Sequence, residues 1–220
     1  MIEYKLSEAG LELINEPEGL TLVGNDMKLR ADFTSMLPRL KQSNLEREML
    51  VKAARIKGHT GELTIIDATA GFGEDSILLA GAGFNVIMYE YDSVIALLLE
   101  DAMKRAEDIP ELRDAIGRMH LIKSSSIEAM KNLDYKPDVV YLDPMFPERS
   151  KSALIKKKFQ LLQCLERPCT DEEELLDAAF AAGPKKIVIK RPLKGEILAG
   201  KKPSYSLSGK AIRYDCHVLV

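Results

Sequence analysis

Short apolar runs alternate with amphipathic stretches along most of this chain. From residue 62 onward, the apolar runs occupy residues 63–66, 86–89, 121–122, 139–142 and 187–189. The stretches between them carry apolar positions at helical spacing, near residues 75–82, 93–107, 125–132, 152–165 and 171–182. Uniformly apolar strands separated by helices predict a mostly parallel α/β sheet with helices on both faces. Two further strands, at 202–207 and 211–220, predict a C-terminal hairpin and bring the sheet to seven strands.

The first 58 residues follow a different pattern. Residues 20–23 and 27–32 read as a β-hairpin around the turn Gly24-Asn25-Asp26. Residues 43–46, Ser-Asn-Leu-Glu, match a capping box and predict a helix that ends at Gly58. The apolar face of this helix would consist of Leu45, Met49, Ala53 and Ile56. We therefore expect a small N-terminal extension at 1–58 and a main domain at 59–220.

Composition agrees with a soluble globular protein of one main domain. The chain has 220 residues, of which 46% are hydrophobic and 30% are charged. It contains neither an apolar run of about 18 residues, as a membrane span needs, nor a signal-peptide start, so we expect a cytoplasmic protein without a membrane partner. Its three cysteines and three histidines are scattered, which predicts that the protein binds no metal.

Charge is distributed unevenly along the chain. Residues 1–144 contain 16 basic and 25 acidic side chains, a net charge of −9, whereas residues 145–220 contain 15 basic and 9 acidic ones, a net charge of +6. The positive C-terminal third could face a polyanion. From charge alone, a set of solvated lysines is the more common explanation.

A glycine-rich loop follows the first apolar run of the main domain. Gly71 and Gly73 allow a sharp turn and a close approach of the backbone to a ligand. A dinucleotide fingerprint would have a third glycine, but position 76 is serine. Asp67 at the head of the loop suits a ligand with a cationic amino-acid end. A tight strand-to-helix turn would explain the two glycines equally well.

Polar residues also follow the next two apolar runs. Glu90 ends the second run, where a carboxylate can accept hydrogen bonds from both ribose hydroxyls of an adenosine cofactor. A surface glutamate at a strand end is the alternative. Residues 124–126, three serines, follow the third run. They would cap a helix or line an adenine pocket.

The fourth apolar run ends in Asp143-Pro144-Met145-Phe146-Pro147, which carries the clearest chemical signal. An amine conjugated to a base ring is a poor nucleophile. The Asp143 carboxylate and the Pro144 carbonyl can each accept one N–H and turn the nitrogen lone pair toward a sulfonium methyl group. The prolines stiffen the loop, and Phe146 can stack on a flipped-out base. This pattern predicts methylation of an exocyclic amine; an ordinary proline turn after a buried strand is the alternative.

Two cations end the fifth run, on the same edge of the predicted sheet. Lys190 and Arg191 could hold RNA phosphates, and the lysines at 156–158 could extend that surface. Plain surface lysines remain a strong alternative for 156–158.

The order of these motifs resembles the ribosomal RNA small subunit methyltransferase J family, from about residue 20 to the C-terminus. The resemblance is most specific at residues 141–147, Tyr-Leu-Asp-Pro-Met-Phe-Pro, and at the Lys-Ser-Ala-Leu that begins with Lys151. It implies a class I fold, S-adenosylmethionine as the cofactor, and transfer of its methyl group to the N2 amine of a guanine in small-subunit rRNA. The implied partner is that rRNA or the assembled small ribosomal subunit.

The family pattern also implies cofactor contacts in this chain, and Lys151 is a further predicted RNA contact. The cofactor contacts would be Glu74, Asp75, Glu90, Tyr91, Ser125, Ser126 and Asp143. The chain departs from the pattern at Glu74, where the family has a basic residue, and at Tyr91, where it has arginine. Residues 37–44 replace a basic, glycine-rich segment of the family.

Three other functions compete with this interpretation. An amino methyltransferase could act on adenine-N6 of nucleic acid or on a protein glutamine instead. A catalytically inactive RNA-binding or assembly module could keep the same fold, although intact Gly71, Gly73, Glu90 and Asp143 favour an active enzyme. A nicotinamide-dependent dehydrogenase would need a third loop glycine and a proton-donating His or Tyr near the nicotinamide. The C-terminal hairpin also favours a methyltransferase-type sheet over a dehydrogenase.

Overall fold

The computed structural model describes residue 6 and residues 10–24, 26–144 and 171–219. Several predicted features lie outside these residues. They are the helix at 152–165, Phe146 and its loop, Lys151, and the lysines at 156–158. Within the described ranges, none of the helices combines the length and the apolar composition that a membrane crossing requires.

The strands form two sheets. The N-terminal sheet consists of β1 (Leu11–Glu16), β2 (Gly19–Gly24) and β3 (Met27–Leu29), in that order and antiparallel. The main sheet consists of β4 (Thr64–Asp67), β5 (Asn85–Tyr89), β6 (Met119–Ile122), β7 (Val139–Leu142), β8 (Lys186–Pro192), β9 (Tyr205–Ser208) and β10 (Ile212–Val218).

The main sheet has the strand order β6-β5-β4-β7-β8-β10-β9. Strands β4 to β8 run parallel, whereas β10 is antiparallel to both β8 and β9. This confirms the predicted seven-stranded, mostly parallel sheet and its C-terminal hairpin. Because β4 to β8 are parallel, their carboxyl ends lie along one edge, which is where open α/β sheets bind ligands.

Eight helices are described. They are α1 (Leu37–Leu40), α2 (Gln42–Leu45), α3 (Met49–Ala54), α4 (Glu74–Gly81), α5 (Ser93–Glu107), α6 (Pro110–Ile116), α7 (Ser126–Lys131) and α8 (Glu172–Ala181). Short 3-10 turns occupy Phe33–Met36 and Leu198–Gly200. Helix α5 begins where the sequence predicts, because the Asp92 carboxylate caps it by accepting hydrogen bonds from the backbone N–H groups of Val94 and Ile95.

Apolar side chains fill both faces of the main sheet. On one face, Ile65 of β4 packs in a cluster with residues of α4 and α5 such as Ile77 and Leu98. On the other, Ile66 belongs to a cluster that includes Leu176 of α8. Neighbouring residues of one strand point to opposite faces, so each buried strand needs apolar residues at every position. That requirement explains the continuous apolar runs.

The N-terminal sheet is attached to the main domain through α5. The Arg105 guanidinium pairs with Asp101 at 2.8 Å and donates to the Ala31 carbonyl at 2.6 Å, while the backbone N–H of Leu20 donates to Asp101 at 3.1 Å. An added Cβ at Gly19 would collide with the Arg105 side chain, so the strand approaches α5 closely. The predicted hairpin at 20–32 is therefore present and packed against the main domain.

The single helix predicted from residue 43 to Gly58 is wrong. The chain breaks at Glu48, whose ψ of 126° is not helical, and α2 and α3 lie on either side of the break. The Leu45 side chain lies near Gly81 at the end of α4, whereas Met49 lies against Gly209 in the turn between β9 and β10. The break lets the two apolar residues reach different parts of the domain.

Besides the short helix α1, two elements were not predicted. Strand β1 extends the expected two-stranded hairpin to three strands, and helix α6 follows α5. Both have sequence signals. Pro17 and Gly19 form a turn signal after a partly alternating stretch, and Pro110 stands at the first position of α6, where proline is favoured.

Candidate functional site

The loop between β4 and α4 lies at the carboxyl edge of the sheet. Gly71 and Gly73 have φ values of 54° and 73°, which residues with a side chain rarely adopt. An added Cβ at Gly73 would lie 2.8 Å from Leu99, whereas one at Gly71 would meet nothing within 4 Å. Gly73 therefore permits packing of the loop against α5, and Gly71 borders open space at the sheet edge.

Glu90 joins the loop between β4 and α4 to the loop that follows β5. Its two carboxylate oxygens accept hydrogen bonds from the backbone N–H of Gly71 at 2.9 Å and of Asp92 at 2.7 Å. Burial raises the pKa of Glu90, and the N–H donors of Asp92 and Gly71 oppose that rise. Each carboxylate oxygen has a further lone pair, so Glu90 can fix the loop and still accept a hydroxyl.

Asp67 lies inside the loop and not on its surface. Its carboxylate accepts hydrogen bonds from the Ser76 hydroxyl at 2.5 Å and from the Thr69 backbone N–H at 3.1 Å, and the residue is 1% exposed. Burial raises its pKa to about 7, against the effect of these two donors. This placement favours a role in shaping the loop over the predicted ligand contact.

Four polar side chains converge where α4, β7 and β8 meet. Asp75 Oδ2 accepts hydrogen bonds from the Tyr141 hydroxyl at 2.6 Å and from the Lys190 ammonium at 2.7 Å. The same ammonium donates to Asp143 Oδ2 at 2.8 Å. The backbone N–H of Asp143 donates to the Thr69 hydroxyl at 2.7 Å, which joins the end of β7 to the glycine loop. The glycine loop and the Asp143-Pro144 loop are thus held together by direct contacts.

Burial controls the acidity of this cluster. It raises the pKa of Asp143, and the charge of Asp75 adds to the rise, whereas Lys190 opposes it. Burial also raises the pKa values of Tyr141 and Tyr214, and the Asp75 carboxylate strengthens both effects. The cluster therefore combines two carboxylates with one ammonium and phenols that keep their protons.

The remaining predicted cofactor contacts lie at the same edge. Ser125 caps α7, because its hydroxyl accepts the backbone N–H of Glu128 at 3.4 Å, and the capping alternative is therefore confirmed for this serine. Ser126 is buried at the first position of that helix. Tyr91 is 82% exposed directly after Glu90, and Glu74 is exposed in the first turn of α4.

The two predicted phosphate contacts of β8 have other partners. Lys190 is held between Asp75 and Asp143, as described above. Arg191 is 4% exposed, donates to the Glu196 carbonyl at 2.8 Å and lies 3.7 Å from the Glu172 carboxylate. This placement favours a structural role for Arg191 over a phosphate contact. The alternation of side chains along β8 places Arg191 on the face of the sheet opposite Lys190.

Several residues of the site carried no predicted role. Thr69, Ser76, Tyr141 and Tyr214 take part in it through contacts that join distant parts of the sequence. Tyr141 gave a weak signal, because a phenol in a fully buried run needs a hydrogen-bond partner. Thr69 and Ser76 lie in a loop and a first helical turn where small hydroxyl residues are common.

Comparisons with known proteins identify the family. The family model described as "Putative SAM-dependent methyltransferase" matches residues 3–219. Ribosomal RNA small subunit methyltransferase J of Neisseria gonorrhoeae is 39% identical over 216 residues, which cover 96% of this chain and 85% of the relative. The protein of the same name from Thioalkalivibrio sulfidiphilus is 40% identical, with 98% and 92% of the two chains covered.

This chain belongs to the ribosomal RNA small subunit methyltransferase J family. The resemblance predicted from its motifs is confirmed. The crystal structure of a SAM-dependent methyltransferase from N. gonorrhoeae, at 34% identity, superimposes with a TM-score of 0.77 over 95% of this chain and 83% of that one. The rRNA methyltransferase AviRa of Streptomyces viridochromogenes, at 16% identity, has a TM-score of 0.52 over 81% of this chain and 85% of that one, which shows the shared fold alone.

Proposed function

We propose that this family member transfers a methyl group from S-adenosylmethionine to the N2 amine of a guanine in small-subunit rRNA. The observation that carries the proposal is the direct link between two loops at one sheet edge. The Thr69 hydroxyl and the Lys190 ammonium join the glycine loop and α4 to Asp143. A cofactor at the first loop and an amine at the second would be neighbours.

The residues around Gly71 fit an adenosine-bearing cofactor. The loop backbone borders open space at Gly71, and the Glu90 carboxylate lies directly beside it. Glu90 would accept the ribose hydroxyls. Further proposed contacts, carried over from the family pattern, are Glu74, Asp75, Tyr91, Ser125, Ser126 and Asp143. When bound, S-adenosylmethionine supplies an electrophilic methyl group: its sulfonium S–CH3 bond breaks as the N–CH3 bond forms, S-adenosylhomocysteine is the leaving group, and the methylated amine releases one proton to water.

Asp143 and Pro144 would orient the amine. Lys190 holds Oδ2 of Asp143, so the other carboxylate oxygen would accept one amine N–H and the Pro144 carbonyl the second. This arrangement turns the nitrogen lone pair toward the methyl group, and catalysis comes mainly from positioning. Phe146 would stack on the base, and Lys151 would contact RNA; both lie outside the described residues.

The test is transfer of a labelled methyl group to small ribosomal subunits that lack their natural modifications, with protein-free rRNA as a second substrate. We expect label in N2-methylguanine. Asp143→Ala should abolish transfer, whereas Asp114→Ala, an exposed aspartate of α6, should leave it unchanged. The more active substrate will show whether the partner is the assembled subunit or rRNA alone.

The other outcomes would contradict the proposal in distinct ways. Label in N6-methyladenine or in protein glutamine would assign a different amine substrate. Tight binding of S-adenosylmethionine without transfer to any of these substrates would exclude this reaction but keep the cofactor. Failure to bind the cofactor would indicate an inactive module of the same fold.

A further inference from the structure

We propose that Lys190 is a positioning residue for Asp143. The Lys190 ammonium bridges the carboxylates of Asp75 and Asp143, and it holds Asp143 charged and oriented toward the substrate amine. The inference rests on the proposed function and assigns to Lys190 a role other than the phosphate contact that its sequence position suggests. It concerns the contacts of one side chain at the junction of α4, β7 and β8.

The geometry of Lys190 suits a bridge. Its Nζ lies 2.7 Å from Asp75 Oδ2 and 2.8 Å from Asp143 Oδ2, within charge-assisted hydrogen-bond range of both. The Tyr141 hydroxyl donates to the same oxygen of Asp75 at 2.6 Å and fixes that carboxylate from the β7 side. The Lys190 side chain is 25% exposed. A lysine that serves phosphates would extend toward solvent, whereas this one is turned between two acids.

The electrostatics give the bridge a function. Asp75 and Asp143 share one ammonium, and without it two partly buried like charges would face each other, which favours protonation of one of them. Burial raises the pKa of Asp143 and Asp75 adds to the rise, while Lys190 is the largest opposing influence. Burial acts to lower the pKa of Lys190, but the two carboxylates outweigh it and raise that pKa. A protonated Asp143 would be a poorer acceptor for the amine.

Several charged or titratable groups act on Asp143 or on one another at this junction, so the response to pH belongs to the whole set. Their positions are Arg39 on α1, Asp67 on β4, Asp75 on α4, Tyr141 on β7, Lys190 and Arg191 on β8, and Tyr214 on β10. Within this set, Lys190 donates directly to both Asp75 and Asp143. Removing it therefore tests the bridge directly.

The experiment compares Lys190→Met with Lys194→Met, an exposed lysine four residues further along the chain. NMR of the labelled aspartate carboxyl carbons, in protein without cofactor, follows the titration of Asp143. We expect its pKa to rise by about 1 to 3 pH units in Lys190→Met and to stay unchanged in the control. The acid limb of kcat against pH should move upward with it, so that the loss of kcat in Lys190→Met is greater at pH 6 than at pH 9.

RNA binding separates this role from a phosphate contact. We expect the KM for the RNA substrate, and the slope of log affinity against log salt concentration, to be the same in Lys190→Met and the wild type. Lys190→Arg keeps the charge and should restore the acid limb. If Lys190→Met does not fold, as judged by circular dichroism and urea unfolding, Lys190→Gln provides the same comparison with a polar neutral side chain.

An unchanged Asp143 titration would overturn the proposal. So would weaker RNA binding with a salt slope lower by about one, since that result assigns Lys190 to a phosphate. If the wild-type protein transfers no methyl group, the proposed function fails. The carboxyl titration does not depend on activity and still decides whether Lys190 holds Asp143.

Discussion

Replacing Asp67 by asparagine should make the stability of this protein less dependent on pH. Burial raises the pKa of Asp67 to about 7 in the folded protein from an ordinary value of 3.8. The folded state therefore keeps a proton that the unfolded chain releases near pH 4. Above pH 4, the free energy of unfolding falls as the pH rises, and this decline ends once the pH exceeds about 7.

The size of the effect follows from those two pKa values. A difference of one pKa unit corresponds to 1.36 kcal/mol. Between pH 5 and pH 8, the titration of Asp67 alone should lower the free energy of unfolding by about 2 to 3 kcal/mol. Asparagine has nearly the same shape and can still accept the backbone N–H of Thr69, but it does not titrate. Asp67→Asn should therefore lack this part of the decline.

Urea unfolding followed by circular dichroism at pH 5, 6, 7 and 8 provides the measurement. The difference in the free energy of unfolding between wild type and Asp67→Asn should change by about 2 to 3 kcal/mol across this range, because the contributions of the other titrating groups are common to both proteins and cancel. Asp114→Asn, which makes the same charge change at an exposed position, should run parallel to the wild type. Parallel curves for Asp67→Asn would refute the reasoning, because they would mean that Asp67 has similar pKa values in the folded and unfolded states.

Three further substitutions test other contacts. Lys186→Met removes the buried ammonium that donates to two backbone carbonyls at the end of α3, so urea unfolding should show a loss of about 1–3 kcal/mol. Gly73→Ala places a methyl group 2.8 Å from Leu99 at a φ of 73°, and thermal unfolding should show a loss of at least about 2 kcal/mol. Glu90→Gln should weaken S-adenosylhomocysteine binding about tenfold in calorimetry, because an amide has one acceptor oxygen where the carboxylate has two; unchanged affinity would exclude the ribose contact.

The main domain could be predicted well because burial on both faces constrains its sequence strongly. The run predicted at residues 139–142 coincides with β7, and the helix predicted at 93–107 coincides with α5. In each case local signals agree with the tertiary structure. A buried parallel strand needs apolar residues throughout, and Asp92 caps α5 directly before its amphipathic pattern begins.

The N-terminal region was less predictable because tertiary contacts override its local pattern. Residues 43–56 have the periodicity of one helix, yet the chain breaks at Glu48 so that Leu45 and Met49 reach different parts of the domain. Helical propensity contributes a few tenths of a kcal/mol per residue. Burial of one leucine contributes about 2 kcal/mol, so packing decides the conformation here.

The candidate site shows the same division between local and long-range information. Its backbone features could be predicted, because glycines, a proline turn and strand ends are local. Its side-chain partners could not, because Lys190 meets carboxylates that lie 115 and 47 residues away in the sequence.

A lysine at the end of a strand is predicted to be exposed until the order of β4, β7 and β8 is known. The sheet order determines that Asp75, Asp143 and Lys190 become neighbours. Since an ammonium between two acids has a different chemical role from one in solvent, the function of a charged residue at such an edge depends on its neighbours as much as on its position along the strand.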